Sequence, residues 1–182
     1  MRLTVLKTIT LVIVALSLAP SYAHVLEAHP RIAIWSPELW REATVFNAQF
    51  WLFAVIGAPI DILAVLVPAA LTWAFRRAGY NRLAAFALAG TLCFAAALAA
   101  WFLLVEPANG ILATWRPGPV PANFDAVRLR WESGHMVVAA FKLVGFVFLV
   151  LACVLSPIPA SAECRSAASD DTAADQGGAR RR

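Results

Sequence analysis

The sequence predicts an all-α protein, a bundle of four transmembrane helices. The composition is the first indication of a membrane protein, since 61% of the residues are hydrophobic and only 14% are charged. Four apolar stretches each reach the roughly 20 residues that a helix needs to cross the hydrocarbon core. A transmembrane β-barrel would require short alternating strands, and the sequence has none of that pattern. The predicted helices cover about residues 3–26, 37–76, 83–105 and 124–156.

These four helices are predicted to form one membrane domain, residues 1–156. The remaining residues, 157–182, are small, polar and charged, and they show no apolar periodicity. Segments of this composition bury too little apolar surface to fold. The sequence therefore predicts a disordered tail after the bundle.

The distribution of basic residues predicts the orientation of the bundle. In a four-span model, the basic residues near the N-terminus, in the loop at residues 76–82 and in the tail fall on one side of the membrane, whereas those on the other side are interleaved with acidic residues of the two longer loops. By the positive-inside rule both termini are then cytoplasmic, and the protein is predicted to be a multi-pass protein of the inner (cytoplasmic) membrane. The formal net charge of +4 is spread by topology rather than gathered on one face, which argues against a nucleic-acid partner.

The first apolar stretch allows two interpretations. A basic start, an apolar core and the small residues before Ala23 resemble a secretory signal, and cleavage after Ala23 would leave three spans. The alternative is an uncleaved first helix that carries His24 at its outer end. The apolar segment continues to Leu26, and the charge pattern suits an even number of spans, so the uncleaved helix is favoured.

The second stretch has a defined start and a buried charge. Ser36 followed by Pro37 is a typical N-cap and first helical residue, and Trp40 is interpreted as an interfacial anchor. Within the membrane, Asp61 costs about 2.5–3.5 kcal/mol on insertion scales and therefore requires a partner. Lys142 in the last helix is the predicted partner, in a structural ion pair, with a substrate contact or proton relay as the alternative.

A proline-rich stretch joins the third and fourth helices. Residues 106–121 contain Pro107, Pro117, Pro119 and Pro121, and such spacing predicts an extended loop. We expect this loop to lie over the mouth of the bundle.

The first turns of the last predicted helix carry a row of polar and aromatic side chains on one face. Residues 123–125 suit a helix start, since asparagine caps and a first-turn aspartate matches the helix dipole. A cation, an indole, a carboxylate and an imidazole then share one helix face at i, i+3, i+4 and i+7: Arg128, Trp131, Glu132 and His135. Charges that simply face water or lipid headgroups are the equally weighted alternative.

Three short motifs resemble those of the anthrone-oxygenase-like membrane proteins, a family otherwise labelled as a domain of unknown function. The motifs are residues 23–27 (A-H-V-L-E), residues 107–109 (P-A-N) followed by Trp115, and residues 128–135, which match the element R-x-x-W-E-x-x-H. They occur in the expected order, and the resemblance extends to about residue 156. It implies a four-helix membrane protein, and in the fungal branch the oxidation of an anthrone to an anthraquinone with molecular oxygen.

The resemblance also implies a set of site residues. The positions that match the family pattern are His24, Asn109, Trp115, Arg128, Trp131, Glu132 and His135. On the predicted topology these positions converge at one end of the bundle, as a pocket between helices requires.

Oxidation of an anthrone requires a base that removes an activated proton and leaves an electron-rich carbanion for oxygen. His135 suits this role because histidine exchanges protons near neutral pH, and Glu132 lies one turn away to orient it. Arg128 is expected to hold a developing phenolate. In the same hypothesis His24 assists the catalytic group, and Asn109, Trp115 and Trp131 bind the substrate.

Two other functions remain open from the sequence. His24, His135 and Glu132 could form the two-histidine, one-carboxylate set of non-haem iron, but no ligand spacing supports it, so no metal or other cofactor is assigned. Alternatively, the protein binds a lipid or a quinone, or assists a membrane complex, with Arg128 and Glu132 as an interhelical clamp. The predicted partners are the lipid bilayer and a small aromatic or lipophilic ligand.

Overall fold

The computed structural model describes residues 2–47 and 51–156, and over these residues the chain is helical with no β-strand. Four of the helices are long and apolar enough to cross a membrane. This confirms the predicted all-α fold class and a multi-pass membrane protein. The predicted tail, residues 157–182, lies outside the described residues, as do residues 48–50 of the second predicted helix.

Over the described residues, the fold consists of six α-helices and two five-residue π-helical segments. In chain order they are α1 (Arg2–Ala33), α2 (Pro37–Arg41), a π segment (Glu42–Phe46), α3 (Trp51–Arg77), α4 (Asn81–Ala100), a second π segment (Trp101–Val105), α5 (Glu106–Leu112) and α6 (Phe124–Val154). The long helices are α1, α3, α4 with its extension through α5, and α6.

The predicted start at Ser36 is confirmed. Its hydroxyl accepts a hydrogen bond from the Leu39 amide at 3.2 Å, and Pro37 opens the helix. The helix is short, however, since the backbone changes to π geometry at Glu42. At the start of α6, Asn123 occupies the cap position, but its side chain accepts no capping hydrogen bond.

Residues 106–112 differ from the expected extended loop, because they form α5. Pro107 lies in the first turn of that helix, where the missing amide hydrogen costs nothing. Only residues 113–123 form an irregular connection. Arg41 holds it in place by donating to the carbonyl oxygens of Arg116 (2.7 Å), Gly118 (3.0 Å) and Pro119 (3.2 Å).

The bundle has two apolar cores. We call the end that carries α2, α5 and residues 113–123 the loop end, and the opposite end the tail end. At the tail end, α3 contributes Ala64, Leu71 and Phe75 to a core shared with α1, α4 and α6. The loop-end core is built around Trp40 and Trp131, and no described side chain of α3 belongs to it. Among the described side chains, all four long helices therefore share a core at the tail end.

Glycines bring α4 and α6 into close contact at the tail end. A Cβ atom added to Gly90 would lie 2.6 Å from Cγ of Leu149 and 2.9 Å from the carbonyl oxygen of Gly145. Such approaches are shorter than real contacts, so only glycine fits at Gly90. Small residues at helix interfaces serve this purpose in membrane bundles.

Replacing Gly90 with alanine is expected to destabilise the bundle by about 1–3 kcal/mol, since α6 must move to admit the methyl group. Unfolding in detergent on titration with SDS measures this change. Gly110→Ala is the matched control, because a Cβ atom there meets no other atom within 4 Å. Equal stability of the two variants would contradict the tight contact.

Candidate functional site

A cavity of about 630 Å³ lies at the loop end of the bundle. Known small-molecule sites have volumes of about 300–1,000 Å³, so the cavity accommodates a ligand of several rings. Its walls come from α1, α3, α4 with the second π segment, α5 and α6. The side chains that line it and carry polar groups are Ser17, Ser21, His24, Thr44, Asp61, Trp101, Asn109, Trp131, His135 and Lys142.

The loop-end half of α3 leaves room for the cavity. None of the side chains at positions 55–63 is buried, and the first buried one is Ala64. Gly57 and Ala58 line the cavity with little bulk of their own. Over positions 55–63, no α3 side chain is buried against the neighbouring helices, which leaves this space open.

The second π segment forms another wall of the cavity. Trp101 and Phe102 line it, and the wider π turn disrupts the regular backbone hydrogen bonds. Arg130 donates to the carbonyl oxygens of Leu103 (3.2 Å) and Leu104 (3.3 Å), which satisfies groups that the distortion exposes. π-Helical turns within α-helices occur frequently at functional sites.

Two histidines and a tryptophan form one polar end of the cavity, which we call the histidine end. The rings of His24 and His135 stack with centroids 4.1 Å apart and an interplanar angle of 16°. The Trp131 ring meets both edge-on, at 5.2 Å from His24 and 4.4 Å from His135. The Trp131 indole N–H donates to Oδ1 of Asn109 at 2.8 Å. Four residues singled out in the sequence thus meet at one place.

Glu132 lies behind this end rather than in the cavity lining. Its side chain is 1% exposed, and its Oε1 accepts the Trp40 indole N–H at 2.8 Å and lies 3.0 Å from Nε of Arg31. The buried Arg31 guanidinium lies 4.9 Å from the centre of the Trp131 ring. Glu132 is therefore linked to the site through Arg31 and Trp40, which both contact Trp131.

Asp61 and Lys142 form the opposite polar end of the cavity. The Lys142 ammonium donates to Oδ1 of Asp61 at 2.7 Å and to the Ser17 carbonyl oxygen at 3.1 Å. The Ser17 hydroxyl donates to the same Oδ1 at 2.6 Å. The ion pair expected from the sequence is present, and it joins α1, α3 and α6.

Two of the predicted site residues lie outside the cavity lining. Arg128 donates to Oδ1 of Asp125 at 3.0 Å, and its guanidinium packs over Phe124. Trp115 is buried against Phe124, with ring centroids 5.9 Å apart, below the Arg41 guanidinium. Both side chains belong to the packing around the start of α6.

The described residues contain no group of three or more histidine, cysteine, aspartate or glutamate side chains arranged to hold a metal ion. His24 and His135 stack face to face, while the Glu132 carboxylate is engaged with Arg31 and Trp40. The three residues of the iron alternative thus do not form a common ligand set here.

Arg31 and Ser17 were not among the predicted site residues, and Trp40, predicted to be an interfacial anchor, is buried. A signal for the first two was present. The buried residues of α1 alternate in steps of four and three: Thr10, Val14, Ser17, Ser21, His24, Ala28 and Arg31. Polar residues at heptad spacing in an apolar helix indicate a face that packs against protein rather than lipid. We call this set the α1 stripe.

The arrangement can bind a flat apolar molecule and exchange a proton with it. The imidazole pair provides the exchangeable site, Trp131 the aromatic surface and Asn109 an amide beside it. Comparison of the chain with protein-family models, curated proteins and solved structures gave no match, so the functional argument for this membrane protein rests on the geometry of its cavity.

Proposed function

We propose that this protein is a membrane-embedded oxygenase, similar to the anthrone oxygenases, that oxidises a small aromatic or phenolic substrate with O2. The observation that carries the proposal is the stacked pair of His24 and His135 beside Trp131, on the wall of a largely apolar cavity. In the proposed topology both termini are cytoplasmic, the membrane is the inner one, and the cavity lies near its outer face.

The cavity suits a flat lipophilic substrate. Its polar groups are accompanied by apolar lining atoms from Leu16, Ile62, Leu98 and Val138. Trp131 is held by its hydrogen bond to Asn109 and therefore offers a fixed ring for edge or face contacts. A molecule dissolved in the bilayer reaches such a site without crossing water.

The proposed reaction starts with removal of a proton from the activated methylene group of the substrate. His135 accepts this proton, and the stacked His24 shares the charge. Because two positive rings 4.1 Å apart would repel each other, the pair takes up one proton at a time. The carbanion is oxidised by O2, a C–O bond forms, and the resulting hydroperoxide loses water to leave a ketone.

This sequence balances without a reductant. One O2 and one methylene group give one carbonyl group and one water, so the substrate supplies all the electrons. The proposal therefore assigns no further cofactor. The protein itself binds the substrate, accepts its proton and excludes water.

Filling the cavity is the sharpest test of this proposal. Purified protein is incubated aerobically with a panel of anthrones and hydroquinones, and oxygen uptake and product absorbance are followed. Ala58→Phe places a ring into the cavity from α3 and leaves both His24 and His135 unchanged in the sequence. We expect this variant to abolish uptake. Ile56→Phe, on an exposed position outside the lining, is the matched control and should keep wild-type activity.

No uptake by the wild type with any substrate would contradict the oxidation and favour a second function. In that alternative the protein binds a lipid or quinone, or assists a membrane complex. It is supported by the buried pairs Arg31–Glu132 and Asp61–Lys142, which also suit a purely structural clamp. Ligand binding that Ala58→Phe abolishes would then identify a binding protein.

A further inference from the structure

The end of the cavity opposite the histidines has an unused hydrogen-bond donor. Lys142 is 4% exposed, and it lines the cavity. An ammonium group carries three N–H donors, and the described residues accept two of them, through Asp61 Oδ1 and the Ser17 carbonyl oxygen. One donor of this buried charge thus has no acceptor among the described residues and is available to a ligand.

The same end has an unused acceptor. Both hydrogen bonds to Asp61 arrive at Oδ1, from the Ser17 hydroxyl and from Lys142. Oδ2 accepts none from the described residues, and the side chain is 22% exposed at the cavity wall. We call Ser17, Asp61 and Lys142 the ionic end; it presents a donor and an acceptor side by side.

The two polar ends lie at a defined separation. His135 and Lys142 are both on α6, seven residues and about two turns apart, so they share one face of the helix and their Cα atoms lie about 10 Å apart along its axis. Val138 lies between them and lines the cavity with apolar atoms. The site is thus polar at each end and apolar in the middle.

We propose that the ionic end is a second recognition site, which binds a phenolic hydroxyl at the far end of the substrate. A hydroxyl accepts from Lys142 and donates to Asp61, so it satisfies both unused groups at once. The substrate class is then an aromatic phenol whose hydroxyl lies on an outer ring, away from the carbon held at the histidines. This inference rests on the proposed occupation of the cavity by an aromatic ligand.

Binding of matched quinones, which are not oxidised further, tests the inference separately from turnover. Anthraquinone, 2-hydroxyanthraquinone and 2-methoxyanthraquinone are titrated against protein in lipid nanodiscs by calorimetry. We expect the hydroxylated compound to bind the wild type about tenfold more tightly than the other two, since it gains hydrogen bonds to charged groups. The methoxy compound lacks the O–H donor, so it tests the hydrogen bond to Asp61 without a protein variant.

The variant Lys142→Met/Asp61→Leu replaces both charges together, because removal of one would leave the other buried and unpaired. It should bind all three compounds with equal affinity. Lys7→Met is the matched control: Lys7 donates to Ser156 at the tail end, and its loss should leave the tenfold preference intact.

The outcomes separate the two proposals. Equal binding of the three compounds by the wild type, or a preference that survives in the double variant, would overturn the second recognition site alone. Failure of the wild type to bind any of them would overturn aromatic occupation of the cavity and this inference with it. A tenfold preference without oxygen uptake would overturn the oxidation and support the ionic end.

Discussion

Replacing His135 with alanine is expected to lower the rate of oxygen uptake by about 100- to 10,000-fold, the usual contribution of a general base. His135 lines the cavity, is the less buried ring of the stacked pair, and contacts both His24 and Trp131. Its removal takes away the proposed proton acceptor and leaves the apolar lining in place. Substrate binding should therefore change much less than turnover.

Initial rates at saturating substrate, read with an oxygen electrode, measure this effect. His24→Ala should cause a smaller loss, because His135 stays in the cavity while its stacking partner is gone. His29→Ala is the matched control: His29 is exposed and does not line the cavity. Full turnover by His135→Ala would show that another group removes the proton.

Removal of Arg31 is expected to cost about 3–5 kcal/mol of stability, because it leaves the Glu132 carboxylate buried without its cation. Glu132 is 1% exposed and Arg31 is fully buried. The remaining hydrogen bond from Trp40 cannot offset the desolvation of a full charge. The variant Arg31→Leu should therefore unfold at much lower SDS concentration than the wild type.

Arg128→Leu is the matched control for this measurement. Its partner Asp125 is 84% exposed, and exposed ion pairs contribute about 0–1 kcal/mol. Joint replacement, Arg31→Leu/Glu132→Leu, should recover part of the lost stability because no unpaired charge remains. Equal losses in Arg31→Leu and Arg128→Leu would contradict the role of the buried pair.

The sequence was sufficient to predict the four apolar helices and the start at Ser36, because length, hydropathy and capping are local properties. It was not sufficient to predict α5, since a proline in the first turn of a helix resembles a proline in a loop. The ion pair of Asp61 and Lys142 was predictable for a general reason: a carboxylate within the membrane requires a cation at similar depth.

The row of polar and aromatic side chains on α6 illustrates what helical spacing leaves undecided. Spacing places Arg128 on the face of His135, but seven residues separate them, about 10 Å along the axis. At that distance Arg128 lies beyond the cavity and pairs with Asp125 instead. Glu132 turns toward Trp40, a partner 92 positions away in sequence, which no local pattern reveals.

The α1 stripe has a consequence for how the protein is assembled in the membrane. α1 is synthesised before α6, the helix that carries two of its main partners, His135 and Lys142. Until α6 inserts, Ser17 and His24 have none of their contacts with that helix, and the cavity has no fourth wall. The site is therefore completed only after α6 has been synthesised and inserted, and a chain that stops before α6 should bind no ligand.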